Sequence, residues 1–128
     1  MTSSIFPPNR SLLEEFHELG EIVQVVEQKP VKTQRLDDLM ETREADFLKL
    51  DVQGGELQVL AGAPNLLEKA LVVHTEVEFV PFYSGQPLFA EMDMALRQHG
   101  YSLFSLGNLE SRAYRPFAEE KAAFQKTR

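Results

Sequence analysis

The chain has 128 residues, 43% of them hydrophobic, with no cysteine and a formal net charge of −7. This length fits one domain, and the apolar fraction, which includes nine phenylalanines, is sufficient for a buried core and argues against global disorder. The lack of cysteine excludes disulfides, thiolate metal sites and thiol nucleophiles, and the acidic balance argues against nucleic acid as the principal partner.

The start of the chain, MTSSIFPPNR, is polar and contains two prolines. It has no apolar core of the kind found in signal peptides, and no run in the chain reaches the roughly 20 apolar residues that a membrane span requires. We therefore expect a cytoplasmic protein without a membrane partner. A small molecule or another protein is the expected ligand.

Residues 1–45 are predicted to form one short helix and extended segments. Ser11 and Glu14 fit a capping box, and Gly20 is a typical helix stop. The predicted elements are a helix over 12–19, extended chain over 22–27 and 31–35, and a helical turn over 36–42 with Asp37 and Asp38 at its solvated start.

Residues 46–106 alternate strand and helix patterns, which predicts an α/β fold. A short apolar strand is followed by two glycines, a helix that Pro64 interrupts, and the second apolar strand LVVHTEVEF. The crossover is long enough for a right-handed βαβ unit with parallel strands. The predicted elements are strands over 47–52, 71–79 and 101–106, and helices over 55–69 and 88–99.

Residues 107–128 are predicted to complete the same domain. Gly107 and Asn108 are typical of a turn, which would return the chain as an antiparallel last strand over 111–115. Residues 117–128 fit a loosely attached helix. The sheet is therefore expected to be mostly parallel, with one antiparallel strand.

Three carboxylates are predicted to meet at one edge of this sheet. Asp51 ends the first strand of the βαβ unit, and Glu76 and Glu78 end the next one. Because ligands of open parallel sheets bind beyond the carboxyl ends of the strands, we expect these acids to line a common pocket. Gly54 and Gly55 would let the backbone approach a ligand closely.

Other interpretations of these residues stay open. Asp51 could cap the following helix, and Glu56 could complement the positive end of that helix. His74, Glu76 and Glu78 alternate onto one strand face and suggest a metal-dependent enzyme, although this spacing is weakly specific and no metal ligand is assigned. The chain has no Walker loop, G-x-S-x-G elbow or H-E-x-x-H motif, which argues against several hydrolase and nucleotide-dependent classes.

The segment from residue 46 to residue 106 resembles the C-terminal half of the FkbM family of S-adenosylmethionine-dependent methyltransferases. Three motifs carry the resemblance: KxDxxGxE over 49–56, ExEF over 76–79 and YxGQPLF over 83–89. TSSIFPPN and RLDDL, further towards the N-terminus, resemble the family's approach to the same strand. The resemblance implies a Rossmann-like methyltransferase fold and methyl transfer to a hydroxyl of a sugar or secondary metabolite.

The resemblance also implies roles for three acids. Asp51 ends the strand that corresponds to the fourth strand of such folds, so it is assigned to cofactor binding at the boundary with the acceptor. Glu76 is assigned to acceptor binding or to removal of the hydroxyl proton. Glu56 is the third catalytic candidate, with orientation of the turn as its alternative role.

Two hypotheses about function follow. The glycine-rich cofactor loop after the first strand of such folds, and the acid that ends their second strand, have no counterpart in this sequence. The first hypothesis is therefore a truncated S-adenosylmethionine-dependent O-methyltransferase domain that acts on a small-molecule hydroxyl. The alternative is a non-catalytic half-domain that forms a homo-oligomer or binds a partner chain through an unpaired sheet edge and uncovered apolar surface.

Overall fold

The structure, a computed structural model, describes residues 3–116, and the helix predicted over 117–128 lies outside this range. The α-helices of the described part are α1 (Arg10–Leu13), α2 (Leu19–Ile22), α3 (Glu56–Ala61), α4 (Pro64–Leu67) and α5 (Phe89–Gln98), and its strands are β1 (Phe47–Leu50) and β2 (Val72–Thr75). Two 3-10 turns, Leu36–Asp38 and Met40–Thr42, occupy the predicted helical turn. Between residues 3 and 116 no helix has the length and apolar character to cross a bilayer.

The two strands pair in parallel, as the sequence predicts. Phe47 lies opposite Val72 and Leu50 opposite Thr75, with unbroken register between them. Beyond this register, the backbone N–H of Glu76 donates to the carbonyl of Leu50 at 3.1 Å. Both strands therefore end at the same edge, where the chain continues into Asp51 and Glu76. The α/β class and the parallel βαβ unit are confirmed.

The crossover is two helices rather than one, with the break where Pro64 predicts it. Pro64 occupies the first turn of α4, where its missing N–H removes no helical bond. Asp37, predicted at the solvated start of a helical turn, also caps this helix: its carboxylate accepts from the backbone N–H groups of Asn65 and Leu66 at 3.0 and 3.1 Å. The contact spans 28 residues of sequence, so no local pattern could identify it.

The core lies where α3, α4 and α5 cover the sheet. Its fully buried members are apolar, namely Leu50, Leu60, Ala63, Leu66, Leu67, Ala70 and Met92. Met92 comes from the predicted apolar face of α5 and packs among residues of β1, α3 and α4. At the edge of this core, the hydroxyl of Tyr101 donates towards the carbonyls of Leu67 and Ala70, at 2.9 and 2.6 Å. These contacts hold α3, α4 and α5 against one another beside the sheet.

The strand predicted over 101–106 is wrong. This stretch has no strand pairing in the described part of the chain, which therefore holds a βαβα arrangement rather than βαβαβ. A strand requires backbone partners on a neighbouring strand, and here only the first residue is held by the core, while Phe104 is 99% exposed. The antiparallel strand over 111–115 is reduced to one isolated bridge between Tyr114 and Phe16.

The helix predicted over 12–19 is also wrong in its bounds. The N-cap is Asn9 rather than Ser11, and the backbone N–H of Asn9 donates to the carbonyl of Phe82 at 2.8 Å. This long-range bond fixes the start of α1 and overrides the local capping pattern. The chain then leaves helical geometry, and Glu18 adopts a left-handed backbone with φ of 66° before α2 begins. The stretches predicted to be extended, 22–27 and 31–35, form no strand.

Candidate active site

The side chains of Asp51 and Glu76 lie next to each other just beyond the ends of β1 and β2. The amide of Gln53 joins them, because its Nε2 donates to Asp51 Oδ1 at 3.1 Å and to Glu76 Oε2 at 2.9 Å. Lys49 Nζ lies 3.5 Å from the other oxygen of Asp51. The strand ends thus bring together two of the three acids that the sequence selects as candidates.

The turn between β1 and α3 is tight because Gly54 takes a backbone conformation that other residues rarely adopt. Its φ is +97°, and a Cβ built on it would lie 3.2 Å from Gln86 Cβ and 3.4 Å from Tyr83 Cδ2. Ser4 Oγ donates to the carbonyl of Gln53 at 2.6 Å and holds the turn from the other side. Glycine is therefore needed here both for its φ and for the close approach of the neighbouring loop.

Substitution of Gly54 by alanine is expected to lower the free energy of unfolding by about 1–3 kcal/mol, because it combines backbone strain with a contact tighter than normal packing. Gly107→Ala is the matched control, since a Cβ at Gly107 meets no atom within 4 Å. Urea unfolding of both variants measures the difference. Equal stability of the two variants would mean that the turn is not constrained in this way.

The carboxylate of Glu56 is hydrogen-bonded to the backbone of the same turn. It is 2% exposed, and its two carboxylate oxygens accept from the N–H groups of Val52 at 2.8 Å and Gly54 at 2.9 Å. Of the three acids selected from the sequence, it is the one whose oxygens are occupied by the turn. This geometry matches the alternative role of Glu56, which is to orient the turn.

Glu78 belongs to the same cluster, as the common pocket predicted from the sequence requires, although the sequence reasoning gave it no catalytic or binding role. Burial raises the pKa of Glu78 to about 7, and the negative charges of Glu56, Glu76 and Asp51 add to the effect. We call Asp51, Glu76 and Glu78 the acidic rim. The signal for Glu78 in the sequence was its alternation with Glu76 on one strand face.

Asp51 and Glu76 differ in their affinity for a proton. The hydrogen bond from Gln53, the contact with Glu76 and the ammonium of Lys49 together lower the pKa of Asp51, against a smaller opposing effect of burial. Burial raises the pKa of Glu76, and the charges of Asp51 and Glu56 raise it further. Of the two carboxylates, Glu76 therefore has the higher affinity for a proton.

The raised pKa of Glu78 predicts a pH-dependent effect of Glu78→Gln. Because the folded state favours the protonated acid, the contribution of Glu78 to stability declines as pH rises from its ordinary pKa of 4.5 to about 7. Glutamine mimics the neutral form, so the variant should match the wild type at pH 4 and exceed it at pH 8. The expected gain is about 1–2 kcal/mol, reduced from the full linkage value because the half-buried group is screened by solvent.

Urea unfolding at both pH values measures this gain. Glu41→Gln, at an exposed glutamate, is the control and should show no pH-dependent difference. A gain in stability for Glu78→Gln that is the same at pH 4 and pH 8 would contradict the raised pKa of Glu78.

The metal hypothesis finds no matching geometry in the described residues. His74 is exposed, and its ring lies edge-on to Phe47 with the centroids 6.5 Å apart. From residue 3 to residue 116, no group of three or more His, Cys, Asp or Glu side chains is placed to hold a metal ion.

A loop between β2 and α5 forms one wall of the site. Tyr83 is buried, and its hydroxyl lies 3.4 Å from Gln53 Oε1. Gln86 is 6% exposed, and its Oε1 accepts from the backbone N–H of Tyr83 at 2.5 Å, while its Nε2 is buried without a partner among residues 3–116. The sequence analysis includes Tyr83 in the YxGQPLF motif but does not predict its contact with Gln53.

Comparisons with known proteins point to one family. The sequence model described as "Methyltransferase FkbM domain" matches residues 2–103. The chain is 38% identical over 68 residues to "2-O-methyltransferase NoeI" of Sinorhizobium fredii (strain NBRC 101917 / NGR234), a match that covers 50% of this chain and 28% of that protein. The chain therefore spans little more than a quarter of this relative. No solved structure is significantly similar to the present chain.

Proposed function

The chain belongs to the FkbM methyltransferase family, and on this premise we propose that it acts in S-adenosylmethionine-dependent O-methylation of a sugar or secondary metabolite in the cytoplasm. The observation that carries the proposal is the pair of carboxylates, Asp51 and Glu76, held together by one amide beyond the ends of two parallel strands. The similar protein of Sinorhizobium fredii is a 2-O-methyltransferase, which supports a hydroxyl oxygen as the acceptor atom.

The donor set of the acidic rim fits this cofactor. S-adenosylmethionine carries a sulfonium cation, and a cation is favoured beside carboxylates in a partly desolvated site. Asp51 is the best-placed contact, because half of its side chain is exposed and its pKa is lowered, so that it stays ionised at neutral pH. When bound, the cofactor supplies an electrophilic methyl group at which an acceptor oxygen can displace sulfur.

The chain's own residues would orient the acceptor and remove its proton. In this proposal the hydroxyl donates to a carboxylate oxygen of Glu76, which aligns the acceptor oxygen and then takes the proton. The raised pKa of Glu76 makes it the better proton acceptor of the pair. Tyr83 and its loop would limit the access of water from one side.

Transfer of a labelled methyl group from S-adenosylmethionine tests the proposal. The purified protein is incubated with saccharides that carry a free 2-hydroxyl and with matched 2-deoxy analogues. We expect label in a base-stable product of the hydroxylated sugars, because a methyl ether survives mild alkali and a methyl ester does not. Absence of any labelled ether, over sugar and secondary-metabolite hydroxyls alike, would contradict the proposal.

A second candidate function is association with another chain. Within residues 3–116 the sheet has only β1 and β2, so each strand has one unpaired edge. Phe47 and Val72, at the beginning of these strands, are more than half exposed. Such edges favour pairing with a further strand. Light scattering coupled to size-exclusion chromatography tests this function, and a stable monomer at all concentrations would count against self-association.

A further inference from the structure

Gln53 makes contacts at both ends of its side-chain amide. Its Oε1 lies 3.4 Å from the hydroxyl of Tyr83, which donates to it. The same amide directs both N–H bonds of Nε2 towards carboxylates, one on Asp51 and one on Glu76. Since an amide has an acceptor on one side and donors on the other, the contact with Tyr83 fixes which side faces the acids.

The backbone of Gln53 has a left-handed conformation that glutamine rarely adopts. Its φ is +56°, in the left-handed region where glycine and asparagine are common and a longer side chain is strained. Ser4 Oγ holds the carbonyl of Gln53 at 2.6 Å and helps to maintain this conformation. A strained residue whose side chain bridges two acids points to a role for that side chain.

The surroundings of the two acids are unequal, although Gln53 binds both. On the side of β1, Lys49 Nζ lies 3.5 Å from Asp51 and favours its ionised form. Glu76 experiences the negative charges of Asp51 and Glu56, which raise its pKa, and Glu78 follows two residues later in the chain. No cation comparable to Lys49 contacts Glu76 among the described residues.

We propose that Gln53 is a positioning residue, which holds Asp51 in its ionised form beside Glu76 and so leaves Glu76 as the group that takes the acceptor's proton. This inference rests on the proposed function, since it assigns the proton of that same reaction. It adds a claim that the proposed function does not contain: the amide of Gln53, and not the strand ends alone, sets the distance between the two acids and their protonation. The lowered pKa of Asp51, to which the Gln53 hydrogen bond is the largest contribution, agrees with it.

Two variants of the full chain separate the amide from the backbone. Gln53→Glu keeps the shape of the side chain but replaces the N–H donors with a carboxylate. Gln53→Gly removes the side chain at a φ of +56°, where glycine is unstrained, so its fold should be retained. Gln58→Glu on the exposed side of α3 is the control, because it makes the same chemical change away from the acidic rim.

The first readout is the titration of individual carboxyl groups by carbon-13 NMR. In both Gln53 variants the midpoint of Asp51 should rise towards that of Glu76, and in Gln58→Glu both midpoints should stay at their wild-type values. The second readout is methyl transfer across pH. We expect kcat to fall on the order of 10- to 100-fold in both Gln53 variants with the acceptor KM nearly constant. The acidic limb of the pH profile should become steeper, because Asp51 and Glu76 must both be ionised for transfer and their midpoints then lie closer together.

An Asp51 midpoint that is the same in wild type, Gln53→Glu and Gln53→Gly would overturn the inference. So would an unchanged kcat and pH profile in the presence of a shifted midpoint. A wild-type chain that transfers no methyl group would instead overturn the proposed function, and the NMR titration would still decide whether Gln53 controls the two acids. The two failures are therefore distinguishable.

Discussion

Asp51→Asn should lower kcat for methyl transfer by about 10²- to 10⁴-fold while the chain remains folded. Asparagine has the same shape as aspartate. It keeps a side-chain oxygen that can accept from Gln53 Nε2, which lies 3.1 Å from Asp51 Oδ1 in the wild type. It removes the negative charge that would face the sulfonium and that raises the pKa of Glu76. Because half of the Asp51 side chain is exposed, no buried packing is lost.

Asp46→Asn is the matched control for this experiment. Asp46 precedes β1 at its opposite end, and its side chain is exposed. The control should retain wild-type kcat, and both variants should show the circular dichroism and urea midpoint of the wild type. Methyl transfer by Asp51→Asn at the rate of Asp46→Asn would remove Asp51 from the reaction.

Glu56→Ala is expected to lower the free energy of unfolding by about 2–4 kcal/mol, the largest stability effect that we predict. The Glu56 carboxylate is buried and is the acceptor for the backbone N–H groups of Val52 and Gly54. Alanine leaves both donors without that partner inside the β1–α3 turn. Hydrogen bonds to a charged group contribute more than neutral ones, so the loss exceeds that of an ordinary pair.

Two further variants test the cause of this loss. Glu56→Gln keeps one acceptor oxygen and should fall between wild type and alanine. Glu68→Ala, which removes an exposed glutamate at the end of α4, should be within about 0.5 kcal/mol of wild type. Urea unfolding at pH 7 measures all three. Equal stability of Glu56→Ala and Glu68→Ala would show that Glu56 does not hold the turn.

The neighbouring positions of Asp51 and Glu76 could be predicted from sequence because they depend on short-range patterns. Two apolar runs, separated by a crossover of adequate length, specify parallel strands that end at the same edge. The residues that follow each run must then be neighbours. The break before Pro64 and the helical turn over 36–42 were predictable for the same reason, since proline geometry and local turn propensity act within a few residues.

The features that could not be predicted depend on contacts between distant parts of the chain. Asp37 caps α4 across 28 residues, and Gln53 meets Tyr83 across 30. Asn9 replaces Ser11 as the cap of α1 because a loop some 70 residues later binds its backbone and side chain. Apolar composition alone predicted a strand over 101–106, but a strand also needs a paired neighbour, which the described residues do not provide.

The most direct test of the central claim is an NMR titration of the chain with S-adenosylmethionine, followed at the backbone amides. If the cofactor binds beyond the carboxyl ends of β1 and β2, saturable shifts should appear at residues 51–54 and 76–78. The same titration of Asp51→Asn should require a higher ligand concentration. No saturable shift, or shifts only near Asp46 and Leu71 where the strands begin, would contradict the account.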